Sequence, residues 1–166
     1  MSGSDVARPR IGILVVAYNA ESTLRATLDR VPGDFRERIA EVIVLDDASH
    51  DATFAQGQAW AEQPGSPSTL VMRHTKNLGY GGNQKAGYKL ALERGLDIVV
   101  LLHGDGQYAP ELLPQMVAPI VRGECDAVLG SRMMDRGAAR RGGMPLYKLA
   151  GNRVLTAAEN ALLGSA

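Results

Sequence analysis

Three side chains spaced two apart, His103, Asp105 and Gln107 in the run LLHGDGQY, could hold a cation between them. An imidazole, a carboxylate and an amide oxygen suit Mg²⁺ or Mn²⁺, and Mn²⁺ better tolerates the imidazole. In an extended chain the two-residue period turns 103, 105 and 107 to one side. Gly104 and Gly106 between them let backbone and a phosphate come close. His103 taken alone reads equally as a polar loop residue. A second acidic pair, Asp46-Asp47, could accept N–H groups from a nucleobase, while Ser49 and Asp51 beside it have the residue types of helix caps. Gly79-Tyr80-Gly81-Gly82 resembles a phosphate loop, but Gln84 stands where the dinucleotide fingerprint needs glycine. The competing reading is a flexible turn, with Gly87 serving close helix–sheet packing. Arg132, Arg136, Arg140, Arg141, Lys148 and Arg153 share their stretch with a single acid, Asp135. They read either as a solvated loop or as an anion-binding flap for a diphosphate or a lipid phosphate.

Such groups need a scaffold, and the hydrophobic pattern supplies one. Ile11–Val16, Val42–Leu45, Leu70–Met72 and Ile98–Leu102 are short apolar runs rich in β-branched residues, the pattern of buried strands; Ala127–Leu129 starts a fifth. Between them the spacing predicts helices over 21–31, 51–63, 82–94 and 110–122, with a last helix over 146–163. Pro32-Gly33 closes the first, Gly95 closes the third, and Pro110 opens the fourth. Strand and helix alternate, which predicts a Rossmann-like three-layer α/β/α fold around a mostly parallel sheet. In such sheets ligands sit beyond the carboxyl ends of the strands. Tyr18, Asn19, Asp46, Asp47, Gly79–Gly82, His103, Asp105, Gln107 and Arg132 all fall at those ends.

The bulk numbers narrow the class. Lys+Arg and Asp+Glu are both 18, so net charge points to no nucleic-acid partner. Cys125 is the sole cysteine, which excludes an internal disulfide and fits a reducing cytoplasm. No apolar run reaches the ~18 residues of a membrane span. Residues 1–10, MSGSDVARPR, lack the apolar core of a signal peptide and read as a flexible tail. An NAD-dependent oxidoreductase on a similar sheet is disfavoured, because AYNAES rather than a glycine fingerprint follows the first strand.

The order and spacing of VVAYNAESTL (15–24), VIVLDDASHDAT (42–53), NLGYGGNQKAGYKLAL (77–92), VVLLHGDGQYAPELL (99–113) and DAVLGSRM (126–133) resemble the family 2 glycosyltransferases with the GT-A fold. Within that family the D-G-Q and G-S-R elements look most like the dolichyl- or polyprenyl-phosphate sugar synthases. The resemblance covers residues 11 to about 163. It implies an inverting enzyme that moves a sugar from a UDP- or GDP-linked donor to a lipid phosphate, at the cytoplasmic side and in peripheral contact with the membrane. The alternatives are a glycan or cell-wall acceptor, or a non-catalytic nucleotide-sugar-binding remnant. Carried over residue by residue, Ala17, Tyr18 and Asn19 match the segment that contacts nucleoside, with Leu45 beside them, and Asp47 matches the carboxylate that reads the base. His103-Gly104-Asp105 matches the Asp-x-Asp motif, whose last acid binds the divalent metal on the diphosphate. Gln107 matches a further metal contact, and Arg132 an arginine that approaches phosphate.

Three positions depart from the pattern. His103 replaces the usual first Asp, Ala20 stands where many relatives carry Glu, and the chain stops at Ala166 while the family normally continues. The expectation is therefore a nucleotide-sugar-binding domain over 11–166 that is incomplete at its C-terminus.

Overall fold

The structure, a computed structural model, describes residues 8–130 and 145–164. It divides into two compact units, Met1–Val128 and Leu129–Ala166.

In the first unit the elements run β1 (Ile11–Ala17), α1 (Leu24–Asp29), α2 (Gly33–Arg36), β2 (Ile39–Asp46), α3 (Thr53–Ala61), β3 (Thr69–Arg73), α4 (Gly79–Glu93) and β4 (Ile98–His103). A single 3₁₀ turn at Pro110–Leu112 then leads into α5 (Leu113–Val121). The four strands are parallel and ordered β3-β2-β1-β4. The order therefore reverses between β1 and β4. Every residue of β1 is buried, and all but one of β2, which is why Ile11–Val16 and Val42–Leu45 read as unbroken apolar runs; the buried Glu41 of β2 is paired with Arg94. β4 alternates between buried and half-buried, and β3 is half-buried to exposed, as suits strands at the ends of the sheet.

Each face of the sheet carries its own core. On one side Ile13, Val15, Val42 and Val44 pack with Leu24 and Leu28 of α1, Trp60 of α3, and Leu113 and Val117 of α5. On the other, Leu14, Val16, Ile43 and Leu45 pack with Ala91 of α4 and Leu96. Burial of each such side chain contributes about 1.5–3 kcal/mol. α4 lies directly on β1 because position 87 is glycine: a Cβ there would fall 2.5 Å from Leu14 Cδ1. The packing role expected for Gly87 is what the structure shows.

Three expectations need correction. The helix expected over 21–31 ends at Asp29, because the Arg36 guanidinium donates to the carbonyls of Leu28, Asp29 and Val31 and so takes over the free carbonyls of its last turn. Gly79–Gly82 is the first turn of α4 rather than a loop. Asp47 Oδ1 accepts the Leu78 N–H at 2.7 Å and Asn77 Oδ1 accepts the Gly79 N–H at 2.8 Å, so the helix start is anchored despite its glycines. Ala127–Leu129 forms no strand among the described residues. Three apolar residues closed by Gly130 can make too few ladder bonds to offset about 1–2 kcal/mol of backbone entropy apiece.

The second unit contains α6 (Leu146–Leu163), with the bounds the spacing predicts. Gly164 ends it in the left-handed conformation, φ 62°, that glycine allows. No helix among the described residues is long and apolar enough to cross a membrane.

Candidate functional site

The strand order places a crevice where β1 and β4 part, beyond their carboxyl ends. Val16 and His103 are register partners there, and the Gly104 N–H donates to Val16 O at 2.9 Å. An open cleft of about 320 Å³ occupies this place. Val16, Ala17, Tyr18 and Ala20 line it from β1 and the loop after it, Asp47 from the end of β2, and His103 and Asp105 from the end of β4. Asn77, Gly79, Tyr80 and Asn83, at the start of α4, close the remaining side.

The β1 and β2 ends are laced together. The Asn19 N–H donates to Ser49 Oγ at 2.9 Å, and Asn19 Oδ1 accepts the His50 N–H at 3.0 Å. The Ala20 N–H donates to Thr53 Oγ1 at 2.7 Å, and the Glu21 N–H donates to Asp51 Oδ2 at 3.1 Å. Asn19 and Ala48 both adopt positive φ, 47° and 58°. Asparagine tolerates this region; alanine there costs roughly 1–2 kcal/mol. The turn is held nonetheless, because the fully buried Asp46 accepts both the N–H and the hydroxyl of Ser49 through Oδ1, with Arg73 Nε 3.4 Å from Oδ2. The caps expected of Ser49 and Asp51 thus belong to a lattice joining two loops. Burial pushes the Asp51 carboxyl up, but hydrogen bonds from the Thr53 hydroxyl and from the N–H groups of Thr53 and Glu21 outweigh it and hold the group below its ordinary 3.8.

Asp47 is buried and fixed at both ends. Its N–H donates to Ala17 O at 2.9 Å, and its Oδ1 accepts from Leu78. Leu45 does not line the cleft; its carbonyl, behind the wall, accepts from Asn83 Nδ2 at 3.1 Å. Asn19 likewise shapes the site through the loop lattice rather than by lining it.

The β4 end is built differently. After His103 the chain turns instead of staying extended, with φ 75° at Gly106. Asp105 Oδ1 accepts the Gln107 N–H at 3.0 Å across that turn. The period-two alignment of 103, 105 and 107 is therefore lost: His103 and Asp105 line the cleft, while exposed Gln107 does not. Gly104 is packed against Ala17, where a Cβ would come within 3.1 Å of the alanine methyl, and its carbonyl accepts from Thr23 Oγ1 at 2.8 Å. Tyr80 OH lies 3.1 Å from His103 Nε2, and the edge of Tyr108 meets the same imidazole with ring centroids 4.7 Å apart. Arg132, with Arg136, Arg140 and Arg141, falls outside the described residues.

Among the described residues no group of three or more His, Cys, Asp or Glu side chains could hold a metal ion. The donor set therefore does not make a resident all-protein cage. One exposed carboxylate at the mouth of a phosphate-sized cleft does fit a divalent ion that takes most of its ligands from a bound diphosphate, the usual manner of Mg²⁺.

Among the cleft residues, Val16 and Asn83 were not singled out from the sequence, and Tyr80 entered only within the phosphate-loop reading of Gly79–Gly82. Asn83 had a readable signal: it is the polar member of the buried stripe Asn83, Gly87 and Ala91, spaced four apart on α4.

A parallel α/β sheet covered on both faces, with carboxylates at its switch point, is the architecture of the GT-A fold. More particularly, the chain belongs to glycosyl transferase family 2, whose model matches residues 12–158. It is 35% identical over 130 residues to the undecaprenyl-phosphate mannosyltransferase of Micrococcus luteus, covering 77% of this chain and 50% of that one. It is 31% identical over 144 residues to the polyprenol monophosphomannose synthase of Mycolicibacterium smegmatis, with 84% and 52% covered. Among solved structures it is similar to the mannosyltransferase PcManGT from Pyrobaculum calidifontis in complex with GDP-Man and Mn²⁺, at 28% identity and a TM-score of 0.50, covering 60% of this chain and 28% of that one. The chain spans about half the length of the curated relatives it matches.

Proposed function

We propose that this chain carries the donor site of an inverting glycosyltransferase, which moves a sugar from a UDP- or GDP-linked donor to a polyprenyl or dolichyl phosphate. The observation that carries the reading is that two carboxylates, Asp47 and Asp105, face one cleft from opposite sides of the β1–β4 switch point. The names of the lipid-phosphate mannosyltransferases, and the GDP-Man and Mn²⁺ in PcManGT, support it. The lipid-phosphate acceptors in those names support a reaction at a membrane surface, which we read as the cytoplasmic face.

Each residue then has a task. Tyr18, exposed at the rim, and Ala17 border the nucleoside. Asp47 accepts a base N–H, its carboxylate already oriented by Leu78. Asp105 is the residue that would hold a divalent ion on the diphosphate. When bound, Mn²⁺ or Mg²⁺ supplies Lewis-acid stabilisation of the departing diphosphate. Arg132, matched to the family's arginine after Gly-Ser, is the candidate phosphate contact. The acceptor phosphate is already an anion, so its attack needs little help from a general base. Its oxygen bonds to the anomeric carbon from the face opposite the leaving group. The bond to the diphosphate breaks, the electron pair leaves with it, and the configuration inverts.

Titrating the chain with UDP and GDP, with and without Mn²⁺, tests the donor site. Metal-dependent binding of one of them is expected; binding of neither overturns it. Incubation with nucleotide sugar and a short polyprenyl phosphate, with NMR of the product's anomeric proton, tests acceptor and stereochemistry.

A further inference from the structure

His103 sits where the family motif has its first acid, and its imidazole could be taken as a metal ligand. The structure gives that imidazole another occupation. Tyr80 OH stands 3.1 Å from His103 Nε2, and the two rings face each other at 5.1 Å between centroids, tilted by 55°. Gln84 Nε2, one turn along α4, donates to the same Tyr80 oxygen at 3.4 Å. A hydroxyl oxygen that accepts from Gln84 has its own proton to give, and the acceptor within reach is His103 Nε2. An imidazole nitrogen whose lone pair takes that proton has none left for a cation.

We infer that His103 is a positioning residue and not a metal ligand. With Tyr80 it forms a latch between the first turn of α4 and the turn that carries Asp105, so that Asp105 and the diphosphate make up the coordination. The latch spans the cleft, since Tyr80 and His103 both line it. His103 thus replaces an acid of the motif by changing the task of the position: it holds two walls of the cleft in place. The inference rests on the proposed metal–diphosphate site for its second half; the first half, the Tyr80–His103 hydrogen bond, stands without metal.

The test has two arms. In the metal-free chain, ¹⁵N-histidine NMR should show His103 Nε2 unprotonated and Nδ1 carrying the proton, with the Nε2 shift moving in Tyr80→Phe. A protonated Nε2 in the neutral ring overturns the latch. In the chain bound to GDP or UDP and Mn²⁺, electron spin-echo modulation should show ³¹P coupling from the diphosphate and no imidazole ¹⁴N coupling. A ¹⁴N coupling that disappears in His103→Gln makes His103 a ligand and overturns the inference. Absence of ³¹P coupling defeats the metal–diphosphate reading instead, and the tautomer then decides the latch alone. Tyr80→Phe should weaken nucleotide binding about 2- to 10-fold without changing its Mn²⁺ dependence. His103→Gln, which keeps an acceptor for Tyr80, should lose less affinity than His103→Leu, which should match Tyr80→Phe. Equal loss in Gln and Leu variants counts against the latch.

Discussion

The two sides of the cleft are built by different means. At the ends of β1 and β2, two loops are cross-linked by side chains that accept backbone N–H groups: Ser49, Thr53, Asp51 and Asn19 take those of Asn19, Ala20, Glu21 and His50. At the end of β4, the turn carrying Asp105 is fastened by the Gly104 N–H to Val16, by Thr23 to the Gly104 carbonyl, and by Tyr80 to His103. The first side is fixed before any ligand arrives, as the proposed reading of a base edge by Asp47 requires. The second exposes its carboxylate to solvent, as the proposed binding of a diphosphate with its own ion requires.

Breaking the exposed side should give the largest effect. Asp105→Asn keeps an acceptor for the Gln107 N–H but removes the negative charge offered to an ion. Mn²⁺-dependent diphosphate binding should disappear and transfer should fall on the order of 10²-fold or more. Calorimetric titration with and without Mn²⁺ reads this directly; unchanged metal dependence contradicts the role.

Breaking the contact between base and fixed side should cost less. Asp47→Ala should weaken nucleoside diphosphate binding about ten- to a hundredfold, the worth of a charge-assisted hydrogen bond, while the response to Mn²⁺ persists. Equal affinities of parent and variant for both UDP and GDP refute base reading by Asp47.

Breaking the lattice itself should appear in stability. Thr53→Val removes the fully buried hydroxyl that accepts the Ala20 N–H, leaving a buried donor unpaired at a cost of about 1–3 kcal/mol. Urea unfolding measures it. A loss at the same level from Thr23→Val, on the other side, would remove the distinction between the two.

The smallest effect concerns acid. The Asp51 carboxyl is held below its ordinary value in the folded chain, so its charge contributes stability above its unfolded pKa of about 3.9. That contribution is lost as pH falls through the lower folded value. The stability difference between parent and Asp51→Asn should be constant above about pH 5 and shrink in more acid solution. A difference independent of pH down to the acid transition would show that the lattice does not depend on the charge.

What the sequence made legible follows from range. The four strands and the longer helices announce themselves locally, because the buried centres of β1 and β2, Ile11–Val16 and Val42–Leu45, carry no polar side chains. The convergence of Tyr18, Asp47, His103 and Asp105 follows from topology alone. The misses come from side-chain partners and turns that a regular local period does not show. Gly79–Gly82 reads as a loop until Asp47, some thirty residues earlier, is seen to hold Leu78. The first helix reads longer because nothing near it shows that Arg36 will take its carbonyls. Gln107 reads as aligned with Asp105 because the two-residue period assumes an extended chain, and Gly106 turns it.

The contact between Gly87 and Leu14 has a consequence for anyone wishing to change the nucleotide this scaffold accepts. α4 supplies one wall of the cleft yet rests on β1 at Gly87 with no room for a methyl group, so a larger side chain there displaces the whole helix rather than tuning one contact. A combinatorial library should leave 83, 87 and 91 untouched and randomise the outward positions 81, 85, 88, 89 and 92, where the side chains are exposed and diversity is tolerated. The same seat gives such a library its control: Gly87→Ala should lift the wall without altering a single group that faces the ligand.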